Sequence, residues 1–169
     1  MFRLLAVFLF LASSALQAAQ AADPVLTVAG LGDCEKITKD GVVPPSPHFW
    51  DAATGTLKLH GARNEMVAAQ LMLTATAGEV KNVNVEIGEL KGPGIIAANP
   101  NLELSQELYQ FVEDGSWGWG TPSKMLPSKL WYPEVLAPFQ DPYSPGHKAV
   151  GAPFDIKTEN GKNQGVWID

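Results

Sequence analysis

Val67-Ala68-Ala69-Gln70-Leu71-Met72-Leu73-Thr74-Ala75 admits two secondary structures, and the class of the whole protein follows from which one it takes. Ala, Gln, Leu and Met favour helix, and Asn64 just upstream suits an N-cap. A surface helix, however, needs an apolar stripe, and positions 66, 69, 70 and 73 mix Met, Ala, Gln and Leu. As a strand, Val67, Ala69, Leu71, Leu73 and Ala75 fall on one face. The neighbours tip the balance. Asn82-Val83-Asn84-Val85-Glu86-Ile87 alternates polar with apolar and is the clearest strand in the chain, and Leu57 and Leu59 alternate within residues 56–60. A strand among strands is the reading adopted.

Working outward, residues 25–29 read as a short strand and residues 30–41 as turn-rich chain. Val42-Val43-Pro44-Pro45-Ser46-Pro47 is an extended connector, because proline forbids helix and biases its predecessor the same way. Leu102, Leu104, Tyr109 and Phe111 suggest one long strand broken by a bulge, or two shorter ones. Gly92-Pro93-Gly94 and Asn99-Pro100-Asn101 mark turns between the apolar runs. Residues 114–164 change character: seven of the thirteen prolines fall there, with Trp117, Trp119 and Trp131. A loop of that length inside a domain is often functional or packed onto something else. Asn163-Gln164-Gly165-Val166-Trp167-Ile168-Asp169 then begins another strand. The expected fold is all-β, an antiparallel β-sandwich with a long Pro/Trp-rich loop. The sandwich is expected to be incomplete at the C-terminus, with an open sheet edge where later strands would pair.

Composition sets the outer limits. The 169 residues leave room for one domain with a real core, and 46% hydrophobic against 18% charged residues is a globular balance. A net charge of −6 with no cluster of Lys and Arg argues against nucleic acid as a partner. Arg3, an apolar run over residues 4–12 and Ala19-Gln20-Ala21 reproduce the layout of a signal peptide, residues 1–21. The run is too short for a stable membrane anchor, so an exported product, periplasmic or extracellular, is expected. Residues 22–55 then supply an N-terminal strand and the Pro-rich connector, and residues 56–169 the truncated sandwich. Cys34 stands alone, so no internal disulfide can form. His48, His60 and His147 are too dispersed to suggest a base for its thiol.

Three short pieces carry a family resemblance. Ala62-Arg63-Asn64-Glu65 followed by Gln70, then Tyr132-Pro133-Glu134-Val135-Leu136-Ala137-Pro138, then residues 163–169 come in order and at matching spacing. Together they resemble the N-terminal β-sandwich module of glycoside hydrolase family 123 and related bacterial proteins, from about His60 onward. Glu134 stands where that family usually has Asp. The resemblance implies a sandwich that precedes a catalytic β/α barrel, and it too makes residues 67–75 a strand. It further implies that the activity, substrate-assisted hydrolysis of N-acetylgalactosaminides by an adjacent Asp-Glu pair, belongs to the barrel.

No catalytic residue is assigned within this chain. It contains no Asp directly followed by Glu; Glu113-Asp114 has the reverse order, before a glycine where solvated carboxylates are common. Glycosidases ordinarily need two placed carboxyls. No metal-site, cofactor or nucleotide motif is present either. Arg63, Asn64 and Glu65 read as a turn: Asn tolerates left-handed backbone, and the two charges can pair with each other or with carbonyls. The alternative makes Arg63 a ligand for sugar hydroxyls or a contact to the following barrel. Trp117 and Trp119, spaced by Gly118, are the candidate carbohydrate-binding residues, since flat rings stack on the C–H faces of sugars. They read equally as packing residues that, with Trp131, Tyr132 and Phe139, plug one end of the sandwich, or as a domain interface. Two functions follow as expectations: a non-catalytic module supporting a barrel outside this chain, or an independent secreted carbohydrate-binding module.

Overall fold

In the computed structural model, which describes residues 26–91, 95–96, 101–113, 128–143 and 150–169, the ambiguous stretch is strand. The chain runs β1 (Leu26–Gly32), β2 (Trp50–Asp51), β3 (Thr56–Leu57), β4 (Ala69–Ala75), β5 (Val80–Val83), β6 (Leu90–Lys91), β7 (Ile95–Ile96), β8 (Leu104–Val112), β9 (Leu130–Pro138), β10 (Phe154–Ile156) and β11 (Asn163–Ile168), with a 3₁₀ turn at Thr158–Asn160. The fold is all-β, and its main sheet takes the order β1-β4-β11-β8-β9 with every pair antiparallel.

β4 lies second in that sheet and is covered on both sides: Ala69, Gln70, Met72, Leu73 and Ala75 are all buried. This is why its sequence resists a periodicity test. A strand buried on both faces loses the polar/apolar alternation that would separate it from a helix.

One face of the main sheet packs on the small β5–β10 sheet. Leu73, Ala75 and Val166 meet Val83, Phe154 and Ile156 there, with Phe139 edge-on to Phe154 at 6.3 Å between ring centroids. Each of these side chains larger than Ala75 contributes about 2 kcal/mol on burial. Beside this patch the β2–β3 hairpin lies over β1, and Gly30 is the reason it fits. A Cβ there would stand 2.6 Å from Leu57 Cδ1 and 2.7 Å from Trp50 Cε3. The opposite face is crossed by residues 33–43, whose Ile37 and Val43 pack on Leu31 and Met72.

Several expectations are corrected. The alternation over residues 82–87 persists as burial, but ladder pairing with β10 ends at Val83, and Asn82 is left-handed with φ 59°. β1 extends through Gly32, into the expected turn, and forms an edge of the main sheet in which the later strands lie. β3 stops at Leu57, and Leu59 is exposed. The bulge expected near residues 104–111 is present, but its extra residue is Glu134 on the partner strand: Leu108 faces Val135 while Tyr109 faces Pro133. The stretch expected to be a structureless loop contains β9, nine residues long. Pro133 and Pro138 hid it from a sequence reading, yet an edge strand tolerates prolines because one row of its amides faces away from the ladder. The main sheet is open, with β1 and β9 as its edges, while β11 is flanked by β4 and β8. The signal-peptide segment, Gly92-Pro93-Gly94, Asn99-Pro100, Trp117 and Trp119 lie outside the described residues.

Candidate functional site

The segment crossing the second face is held by two buried amides. Gln70, on β4, donates from Nε2 to the carbonyls of Gly32 at 3.0 Å and Glu35 at 2.8 Å. Asn163, 0% exposed at the start of β11, donates from Nδ2 to Thr38 O at 3.0 Å and Gly41 O at 2.8 Å, and its Oδ1 accepts from Thr74. A carboxamide suits this task because it satisfies turn carbonyls that a dry interface would otherwise leave unpaired. Residues 33–43 thus form a strap tied down at both ends. Lys36 adds an exposed ion pair to Glu134 at 2.8 Å, which contributes little stability.

Where the strap leaves the sheet it builds a cleft of about 390 Å³ lined by Lys39, Asp40, Tyr109, Trp131, Glu159 and Gly161. The Lys39 backbone ties the cleft to two strands: its N–H donates to Trp131 O at 3.1 Å and its carbonyl accepts from Asn163 N at 3.0 Å. The Lys39 ammonium sits 4.9 Å from the Tyr109 ring centroid, a cation–π contact. Burial pulls its pKa below the ordinary lysine value, and Asp40 pushes it partly back. Gly161 lets the lysine pass, because a side chain there would collide with the Lys39 stem, and its φ of 98° suits only glycine. Trp131, 46% exposed, lies beside its cross-strand neighbour Phe111, with centroids 5.4 Å apart and rings tilted by 54°.

Beside β11 on the same sheet face lies an unusual carboxyl. Glu107 is 3% exposed, and its Oε2 has no hydrogen-bond partner; Gln70 Oε1 is the other such atom among the described residues. The carboxyl fits because Gly165 on β11 has no side chain to occupy the space. Burial pushes the Glu107 pKa up to about 7. Tyr109 is raised further still, first by burial and then by the charge of Glu107.

The sequence-derived residues divide. Asn64 adopts left-handed backbone at φ 64°, and Glu65 accepts a hydrogen bond from the Ala62 N–H. Arg63 is exposed and pairs neither with Glu65 nor with another described residue. Gln70 is a strap anchor and, like the turn, does not line the cleft. Of the aromatic plug, Tyr132 and Phe139 are buried while Trp131 faces the cleft. Glu113 is exposed just past β8, and Asp114 lies outside the described residues. Cys34 is exposed, and the neighbouring Asp33 raises its pKa, away from thiolate reactivity.

Sequence reasoning missed Lys39, Asn163 and Glu107. Only Glu107 left a signal: the apolar parity switches from Leu102 and Leu104 to Tyr109 and Phe111, which puts Glu107 on the face of the two aromatics. Among the described residues no group of three or more His, Cys, Asp or Glu is placed to hold a metal ion, and no helix is long and apolar enough to cross a membrane. No protein-family model matches the sequence, and no curated protein matches it.

Proposed function

We propose that this chain is a non-catalytic β-sandwich module of an exported glycoside-hydrolase-like protein whose catalytic barrel lies outside the chain. One observation supports the reading above others. Among the described residues, the core-facing side of the main sheet is wider than the layer that covers it. Leu108 and Val135 face each other across β8 and β9 on that side, yet they are 42% and 52% exposed. Apolar pairs on the buried side of a sheet that project beyond its cover mark a surface made to receive another body. The three-piece resemblance supplies the identity of that body.

The test is to express the chain with and without the coding sequence that follows Asp169. The longer product is expected to hydrolyse N-acetylgalactosaminides and to slow amide hydrogen exchange over Leu104–Val112 and Leu130–Pro138. The chain alone is expected to do neither. A stop codon directly after Asp169, or hydrolysis by the chain alone, overturns the reading.

A further inference from the structure

We infer that the Lys39–Trp131 cleft binds a neutral pyranose sugar, with Trp131 as the stacking face. The inference goes beyond the module reading and rests on different residues. The cleft lies on the strap side of the sheet, whereas Leu108 and Val135 lie on the other.

The chemistry of the lining narrows the ligand by elimination. Lys39 brings one positive charge, and Asp40 and Glu159 bring two negative ones. An anion entering this space meets a net repulsion, which sets aside carboxylate and phosphate ligands. A cationic ligand would have to share the cleft with the Lys39 ammonium, which lies 4.9 Å from the Tyr109 ring centroid and repels it. A wholly apolar ligand would strip water from three charged groups without replacing their hydrogen bonds. What remains is an uncharged molecule with one apolar face and many hydroxyls. A pyranose has that form: its axial C–H bonds cover an indole, and its hydroxyls donate to carboxylates and accept from an ammonium.

The cleft is also built to keep its shape. Phe111 flanks Trp131, Asn163 fixes the Thr38 and Gly41 carbonyls on either side of Lys39, and Gly161 carries the positive-φ backbone that admits the lysine stem. A preorganised wall reduces the ordering cost that weakens most sugar binding. The volume, about 390 Å³, lies within the range of small-ligand sites.

The full chain should be titrated with cellotriose, chitotriose and galactobiose as neutral probes and with a galacturonate trimer as the acidic one. Tryptophan fluorescence and the amide NMR signals of Lys39, Trp131 and Gly161 are the readouts. Saturable binding of at least one neutral probe is expected, with shifts centred on those three amides. Trp131→Ala and Asp40→Asn should each weaken it by about tenfold or more. Leu136→Ala, outside the cleft, should leave it unchanged. Asp40 is exposed, so its variant keeps the test open if Trp131→Ala fails to fold. No saturation by any neutral probe at about 10 mM, preference for the acidic probe, or unchanged affinity in a folded Asp40→Asn variant overturns the inference.

Discussion

Replacing Glu107 by Gln converts the buried carboxyl into a neutral group of nearly the same shape, and the consequence for stability can be worked out. In the folded protein the Glu107 pKa is raised from 4.5 to about 7, with burial as the cause. The folded state therefore holds the proton more tightly than the unfolded chain. Its contribution is complete below about pH 4.5 and is lost as pH rises towards 7. A rise of about 2.5 pKa units corresponds to about 3 kcal/mol. Urea unfolding of wild type and Glu107→Gln should be followed from about pH 4 to about pH 8. The difference between the two curves cancels every other titrating group. It should move in favour of the variant by about 3 kcal/mol across that window, or about ten degrees in Tm for a domain of this size. A difference that stays flat to within about 0.5 kcal/mol refutes the argument, since it would mean the carboxyl is solvated in the folded protein.

Other substitutions probe the rest of the design. Asn163→Asp keeps the volume but turns a donor towards Thr38 and Gly41 carbonyls into an acceptor; a loss of about 3 kcal/mol in urea unfolding is expected, with hydrogen exchange accelerated in residues 33–43. Phe154→Ala opens a cavity between the sheets beside Phe139 and should cost about 4 kcal/mol by the same assay. Gly161→Ala must adopt φ near 98° against the Lys39 stem and should cost about 2 kcal/mol or more, while Gly78→Ala, with open space around it, should cost less. Leu108→Ser with Val135→Ser should lower the stability of the chain alone by only about 1 kcal/mol each, because both are already half exposed. In the barrel-containing protein the same pair should detach the module, read as increased proteolysis between domains.

How much of this was readable in advance depends on whether a residue's role is local. The Ala62-to-Glu65 turn was legible because Asn accepts left-handed backbone wherever it occurs. The all-β class was legible from residues 82–87 and 56–59, although pairing covers only part of each. β9 was not, since Pro133 and Pro138 are prohibitive in a central strand and harmless at an edge, and sequence does not say which position a strand takes. Gln70 stood out as the lone amide in an apolar run, but its partners are the carbonyls of Gly32 and Glu35, more than thirty positions away. Lys39 had no distinguishing neighbours at all. Its role exists only because Asn163 and Gly161, from the far end of the chain, shape the backbone and space around it.

The position of β11 also governs the order in which the protein can assemble. β1 and β4 form one pair and β8 and β9 another, and in the main sheet neither pair touches the other except through β11. The link closes late: Thr74 and Asn163, hydrogen-bonded across it, are 89 residues apart in the chain. Until residues 163–168 arrive, β4 and β8 each present an unpaired inner edge, and Gln164 is not yet in place to donate to the Glu107 carbonyl. The main sheet is therefore a structure of high contact order whose keystone is synthesised last. A nascent chain stopped short of Asn163 would hold two adhesive half-sheets in place of one finished sheet, and such intermediates pair with one another as readily as with themselves.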